Sequence, residues 1–174
     1  MEVFLIPGDS DPTEKLLPQK PFQPILFPLL SKRPWSHSYH NPCRLKLKLF
    51  SQTAGQSLDL VLSSGSNVEE VRKYLSSESA LVVGESMLKW GHLNPASSDV
   101  YPTQMDLDSV DPMVIQDSLP NFYVIGNQDK FGIREFQGTQ VISLPSFSQS
   151  HQIATIQISD GNFRVLPMDF KVCI

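Results

Sequence analysis

The chain has 174 residues, 40% of them hydrophobic and including 10 Phe, which is enough apolar material for one core and sets the expectation of a single domain. Fourteen basic residues against 18 acidic give a net charge of −4, a balance that argues against a surface built to neutralise phosphates, because nucleic-acid affinity comes largely from Lys and Arg releasing counterions. The two cysteines, Cys43 and Cys173, are too few for a zinc site and fit a reducing compartment, and no apolar run approaches the roughly 18 residues that span a bilayer, so neither a membrane span nor a signal peptide is expected.

Glu2 to Ile6 reads as a buried strand running into Pro7-Gly8, with nothing before it to pair with or cover it. A domain that begins this way is expected to be a truncated one, lacking neighbours for that strand. From Pro7 to Pro34 the prolines at 7, 12, 18, 21, 24, 28 and 34 remove backbone donors too often for a helix or a central strand. The interleaved Leu17, Phe22, Ile25, Phe27 and Leu29 are too apolar for a free linker, so this loop is expected to pack on the body of the domain.

A β-hairpin is predicted over 44–62. Arg44-Leu45-Lys46-Leu47-Lys48-Leu49-Phe50 alternates leucine with cation, the alternation returns in Ser57-Leu58-Asp59-Leu60-Val61-Leu62, and Ala54-Gly55-Gln56 marks the turn. Cross-strand Lys and Asp would support the solvent face, and Lys46 and Lys48 read as protection of a sheet edge. Two helices are predicted over 67–90: one with Asn67 as N-cap and Val68, Val71 and Leu75 on one stripe, the other from Ser79 to Trp90, stopping at Gly91. Residues 94–112 read as a loop. The remainder, 113–168, reads as β throughout: Met113-Val114-Ile115, Phe122 to Ile125, Gly132 to Phe136, Gln140 to Leu144, Ile153 to Ile158 and Phe163 to Leu166, with turns at Gly126-Asn127, Gln137-Gly138, Pro145-Ser146 and Asp160-Gly161-Asn162. Helices between strands predict a layered α/β sandwich.

Two segments resemble punctuation of the calcineurin-like phosphoesterases. Phe4-Leu5-Ile6-Pro7-Gly8-Asp9-Ser10-Asp11 is similar to their strand followed by GNHD, and Phe122 to Asp129 is similar to their strand followed by GHxH. In active members these elements furnish an Asn and imidazoles to a two-metal centre that clamps phosphate and activates water. Here Asp9 and Ser10 stand for the Asn and His of the first, and Asn127 and Asp129 for the two His of the second. The former active-site positions are therefore Asp9, Ser10, Asp11, Asn127 and Asp129, with no catalytic residue, no metal and no cofactor expected, since serine or a lone amide does not replace imidazole. The histidines elsewhere do not repair this: His92 follows a helix, and His37, His40 and His151 sit in polar loops without carboxylates or cysteines at ligand spacing. No phosphate-binding Gly-rich loop, HExxH or GxSxG occurs, and the serine runs at 63–66 and 76–79 read as turn and cap chemistry.

Taken in order, further strings resemble the B-type small subunits of eukaryotic replicative DNA polymerases, closest to the delta type. They are Pro7-Gly8-Asp9-Ser10-Asp11-Pro12-Thr13, Leu17-Pro18-Gln19-Lys20-Pro21, Leu26-Phe27-Pro28, Asn41-Pro42, Ser64-Gly65-Ser66-Asn67, Gly91-His92-Leu93-Asn94-Pro95, Asp99, Tyr101-Pro102, Asp111-Pro112-Met113, Gly126-Asn127 through Phe131-Gly132, and Leu144-Pro145-Ser146-Phe147-Ser148. The resemblance implies the C-terminal portion of an inactive phosphoesterase domain without the N-terminal half or the OB-fold of the family. It further implies a nuclear scaffold whose partners are the catalytic subunit's C-terminal metal-binding domain and a third, elongated subunit, with DNA reached only indirectly. The departures are Ser66 in place of Gln in the turn and the loosened Pro95-Ala96-Ser97-Ser98-Asp99. The competing readings are a residual metal-dependent phosphoesterase or nuclease, and the small subunit of polymerase alpha or epsilon.

Overall fold

The computed structural model describes residues 2–48, 57–75, 79–95, 111–115, 118–159 and 162–170. The turn at 54–56, the strand end Leu49-Phe50, Ser76 to Glu78, Asp99, Tyr101-Pro102, Asp160-Gly161 and Cys173 lie outside them.

The centre is a mixed five-stranded sheet made of β3 (Cys43–Lys48), β4 (Ser57–Ser63), β5 (Phe122–Gln128), β6 (Gly132–Phe136) and β7 (Thr139–Pro145), ordered β3-β4-β5-β7-β6. β4, β5 and β7 run parallel, and the edges β3 and β6 are antiparallel to their neighbours. A continuous apolar run suits a strand covered on both faces, and Phe122-Tyr123-Val124-Ile125 occupies the middle of the sheet. Register divides its side chains: Val61, Tyr123 and Val141 form one cross-strand row, and Leu62, Val124 and Ile142 the next.

The first row faces helices α1 (Ser66–Arg72) and α2 (Ala80–Trp90), which contribute Val68, Val71, Val83, Met87 and Leu88 to the larger core cluster. The second faces the antiparallel hairpin β8 (Gln152–Ser159) and β9 (Asn162–Asp169), which brings Ala154, Ile156, Phe163 and Val165 onto Leu58, Leu60, Phe122 and Ile142. Full burial of a Val, Leu, Ile or Phe side chain is worth about 1.5–3 kcal/mol, and the hairpin side gains less per residue because Ala154, Ile156 and Phe163 are only partly buried. A short helix α3 (Phe147–Ser150) links β7 to the hairpin, where only a turn is predicted. The layered α/β arrangement read from the sequence agrees with this mixed sheet and its few helices.

α2 is capped at both ends as its sequence predicts. Ser79 Oγ accepts from Val82 N–H at 3.4 Å, and Gly91 at φ 69° sends its N–H back to Leu88 O. Gly84 sets its distance from the sheet, because a Cβ there would lie 2.7 Å from Ile125 Cδ1 and 2.9 Å from Val141 Cγ1.

Several expectations are corrected. The N-cap of α1 is Gly65 at φ 100°, not Asn67, which lies inside the helix and is wholly buried because its amide is needed by the core. Met113-Val114-Ile115 is not a strand: Val114 makes one bridge to His92, and Leu93 N–H and Ile115 N–H bond to Met113 O and Gly91 O, so this run closes the end of α2 instead of extending a sheet. The opening strand, β1 (Val3–Leu5), is half-buried and has a neighbour, since the chain returns through β2 (Ser36–Ser38) and pairs with it in parallel. Of the proline-rich loop, Leu17 and Gln19 are buried, whereas residues 23–35 form successive turns that stand exposed, with Ile25 and Leu29 each 80% accessible. Finally, Lys46 stands opposite Asp59, but the carboxylate is held by Arg44, whose fork makes two bonds of 2.9 and 2.7 Å and also reaches Ser118 O.

Candidate functional site

Because β4, β5 and β7 are parallel, their C-terminal ends open on one edge of the sheet, the edge where open α/β sheets place ligands. The loop after β1 joins them there. Together they border a cleft of about 520 Å³ whose polar lining includes Asp9, Ser10, Asp11, Glu69, Asn127 and Ser148. Four of the five positions singled out from sequence thus meet in one place. The fifth, Asp129, does not line this cleft: its side chain is 85% exposed, 3.8 Å from the Arg72 guanidinium, beside a neighbouring hollow that Lys130 and Phe131 also line.

At the cleft Asp11 closes its own turn and Asn127 ties two loops, and beside it Gln19, Asn41 and Ser64 link further segments. Asp11 Oδ2 accepts from Gly8 N–H at 2.7 Å, while Asp11 N–H donates to Gly8 O at 3.1 Å, closing the Gly8-Asp9-Ser10-Asp11 turn after the buried Pro7. Gln19 Nε2 donates to Gly8 O at 2.9 Å and to Thr13 Oγ1 at 2.7 Å, with the exposed Pro12 beside it. Asn41, wholly buried, donates through Nδ2 to Gln19 Oε1 at 3.1 Å and Ser64 Oγ at 2.6 Å, and its Oδ1 accepts from Ser64 N–H at 2.9 Å. The backbones of Gln19 and Asn41 also bridge, and both are flanked by cis prolines, Pro18 and Pro42. Asn127, at φ 53°, donates from Nδ2 to Ser64 O at 3.2 Å.

The turn at 63–66 approaches the one at 126–128 so closely that a Cβ on Gly65 would lie 2.2 Å from Gly126 O. Beneath it Ser63 Oγ accepts from Gly65 N–H and donates to Asn67 Oδ1, and Asn67 Nδ2 donates to Leu93 O at 2.7 Å and Tyr123 Oη at 3.2 Å. Burial pushes the Tyr123 hydroxyl far above the usual phenol range, with the Asn67 hydrogen bond opposing it, so Tyr123 stays a neutral donor and acceptor. At the far end of α2, His92 Nε2 lies 3.0 Å from Asp111 Oδ2 and its Nδ1 accepts from Asn94 N–H, with the exposed Pro95 following. Phe131 packs against the hairpin-side core, and a Cβ on Gly132 would meet Leu81 Cδ1 at 2.7 Å.

The two-metal centre that active phosphoesterases build from the strings resembled here needs a donor set that this cleft does not supply. None of the four histidines lines it. His37 pairs with Glu2 and His92 with Asp111, and among the described residues no group of three or more His, Cys, Asp and Glu side chains gathers where an ion would sit. Of the carboxylates present, Asp11 holds a backbone N–H and Glu69 pairs with Arg72 at 2.8 Å. No chemical step through metal follows from this cleft.

The hub of the site lies outside the five positions expected at it. Gln19, Ser63, Ser64 and Tyr123 connect the motifs: Gln19 and Ser64 stand in the strings that carry the resemblance, the serines at 63–66 read as turn chemistry, and Tyr123 is a hydroxyl inside an apolar strand that must find a partner.

The loops at this edge of the sheet are tied together by side-chain amides, the buried Asn41 and the exposed Asn127 both bonding to Ser64. The chain belongs to the DNA polymerase alpha/epsilon B-subunit family, which it matches over residues 1–133. Within that family it is a delta small-subunit-like protein. It is similar to DNA polymerase delta subunit 2 of Drosophila melanogaster, at 28% identity over 173 residues, covering 95% of this chain and 37% of that one. It is likewise similar to the DNA polymerase delta small subunits of Arabidopsis thaliana, 29% identical over 155 residues with 86% and 33% covered, and of Saccharomyces cerevisiae, 26% identical over 196 aligned positions with 97% and 40% covered. The chain spans between a third and two-fifths of the length of these relatives.

Proposed function

We propose that the chain is the C-terminal portion of a small subunit of DNA polymerase delta, a non-catalytic accessory scaffold in DNA replication. Its architecture is read as part of a calcineurin-like phosphoesterase sandwich in which the metal site has been turned over to structure. The observation that carries this reading is the side-chain network that ties the loops around the cleft, with Asn41 and Asn127 both anchored on Ser64. The names of the relatives support the polymerase assignment. The partners it would hold are the catalytic subunit's C-terminal metal-binding domain and a third accessory subunit, in the nucleus, with DNA contacted through them.

Co-purification decides the matter. The tagged chain is expected to bring down the polymerase delta catalytic subunit in preference to those of alpha and epsilon, and to hydrolyse no phosphodiester when supplied with manganese. Binding of about two manganese ions per chain together with phosphodiesterase activity that Asp9→Asn abolishes would overturn the scaffold reading in favour of a residual metallophosphoesterase.

A further inference from the structure

The charges of this acidic chain are unevenly placed. Residues 15–58 contain seven of the 14 lysines and arginines and not one aspartate or glutamate, and of the seven Lys20 and Arg44 pair with Glu14 and Asp59 just outside the stretch. Within that stretch the turns at 23–35 hold up Ile25 and Leu29, with Trp35 partly exposed beside them. Behind these lies a hollow of about 190 Å³, apolar along Leu5, Phe22, Pro24, Phe27 and Leu30 with Gln23 and three serines completing its lining, one wall of which is the edge-to-face contact of Phe22 with Phe27, 5.2 Å between centroids. Lys32 and Arg33 follow immediately on its rim, where Arg33 N–H bonds to Leu30 O at 2.9 Å. Both are exposed, and among the described residues neither joins an ion pair.

We propose that this surface docks an acidic segment of a partner protein, one apolar side chain entering the hollow and flanking carboxylates meeting Lys32 and Arg33. An apolar anchor in a small pocket supplies the affinity of such an interface, and the charged rim steers the approach and rejects basic partners. Single-stranded nucleic acid shares the sign of charge but binds by stacking bases on aromatic faces, and the two most exposed groups here, Ile25 and Leu29, are aliphatic. The surface shares no lining residue with the cleft, so the inference stands independently of the polymerase reading.

The test is selection of short random peptides, displayed on phage, against the immobilised full chain, followed by anisotropy titration of the enriched peptides. Leu29→Asp and the Lys32→Glu/Arg33→Glu pair change exposed positions and are expected to leave the circular dichroism spectrum and the melting transition unaltered. Enriched peptides are expected to carry Asp or Glu around Leu, Ile or Phe and to lose at least about tenfold in affinity to each variant. Replacing their acids by Lys is expected to restore binding to the charge-reversed chain. Peptides without acids, or affinities unmoved by both variants, would overturn the proposal. So would oligothymidylate binding that both variants abolish, marking a nucleic-acid site, or a dimer in sedimentation that the charge reversal dissolves, marking a second copy as occupant.

Discussion

Asn67 and Tyr123 meet across the layer between α1 and β5, amide to hydroxyl at 3.2 Å, each with no access to water. The pair joins the helix that follows the Gly65 turn to the central strand, and through Leu93 O it also holds the end of α2. Asn67→Ala is predicted to cost about 2–3 kcal/mol, because it removes three hydrogen bonds, to Ser63, Leu93 and Tyr123, and strands the partner groups in an apolar setting. Urea unfolding of the wild type and the variant measures it; a loss under about half a kcal/mol would refute the assignment.

Two glycines with positive φ separate conformational need from crowding. Gly65→Ala puts a methyl 2.2 Å from Gly126 O at φ 100°, so a loss of about 3 kcal/mol or more is predicted. Gly91→Ala at φ 69° meets nothing within 4 Å and is expected to cost only about 1 kcal/mol. Equal melting temperatures for the two variants would contradict the close approach of the 63–66 and 126–128 turns.

Acid should weaken the far end of α2. Burial pushes the Asp111 carboxyl up, but hydrogen bonds from His92 and Met113 N–H, together with the charge of His92, outweigh it and hold the group below the usual carboxylate value. A carboxyl lowered on folding stabilises fully above its unfolded value of about 3.9, and that contribution is lost as pH falls through the lower folded value. Urea midpoints taken from pH 6 downward, on the order of one unit past that value, are expected to fall more steeply for the wild type than for Asp111→Asn.

Cys43 is predicted to be a slow nucleophile. Burial raises its thiol to about 11, so the thiolate fraction at neutral pH is small. In a Cys173→Ser background, iodoacetamide labelling at pH 8 should run on the order of 100-fold slower than for an unperturbed peptide thiol. Labelling at the peptide rate would mean that Cys43 is not packed as described.

Much of this arrangement is legible where local chemistry and long-range packing agree. The leucine-cation alternation of 44–48 places Leu45 inside and Lys46 and Lys48 outside, and Ser79 and Gly91 bound α2 as caps should. Legibility fails where one residue type serves two purposes. An asparagine next to a turn reads as an N-cap, and nothing local distinguishes that from an amide destined for Tyr123 and Leu93, which are 56 and 26 positions away. Asp129 follows Asn127 by two residues and so reads as its companion, but the register shift between Ile125 and Gln128 and the positive φ of Asn127 turn the chain aside. The apolar residues of 23–35 read as buried because composition carries no information on which side of a surface they stand.

The bonds that run from Gln19 through Asn41 and Ser64 to Asn127 join segments that are distant along the chain. Loops on an ordinary sheet edge tolerate change one at a time, whereas these share a single set of donors and acceptors, so the penalty for altering one is largely incurred already once its neighbour has been altered. Drift at this edge is therefore a concerted affair: a workable replacement for Asn41 must come with matching replacements at Gln19 and Ser64, and single steps between the two solutions pass through a weaker protein.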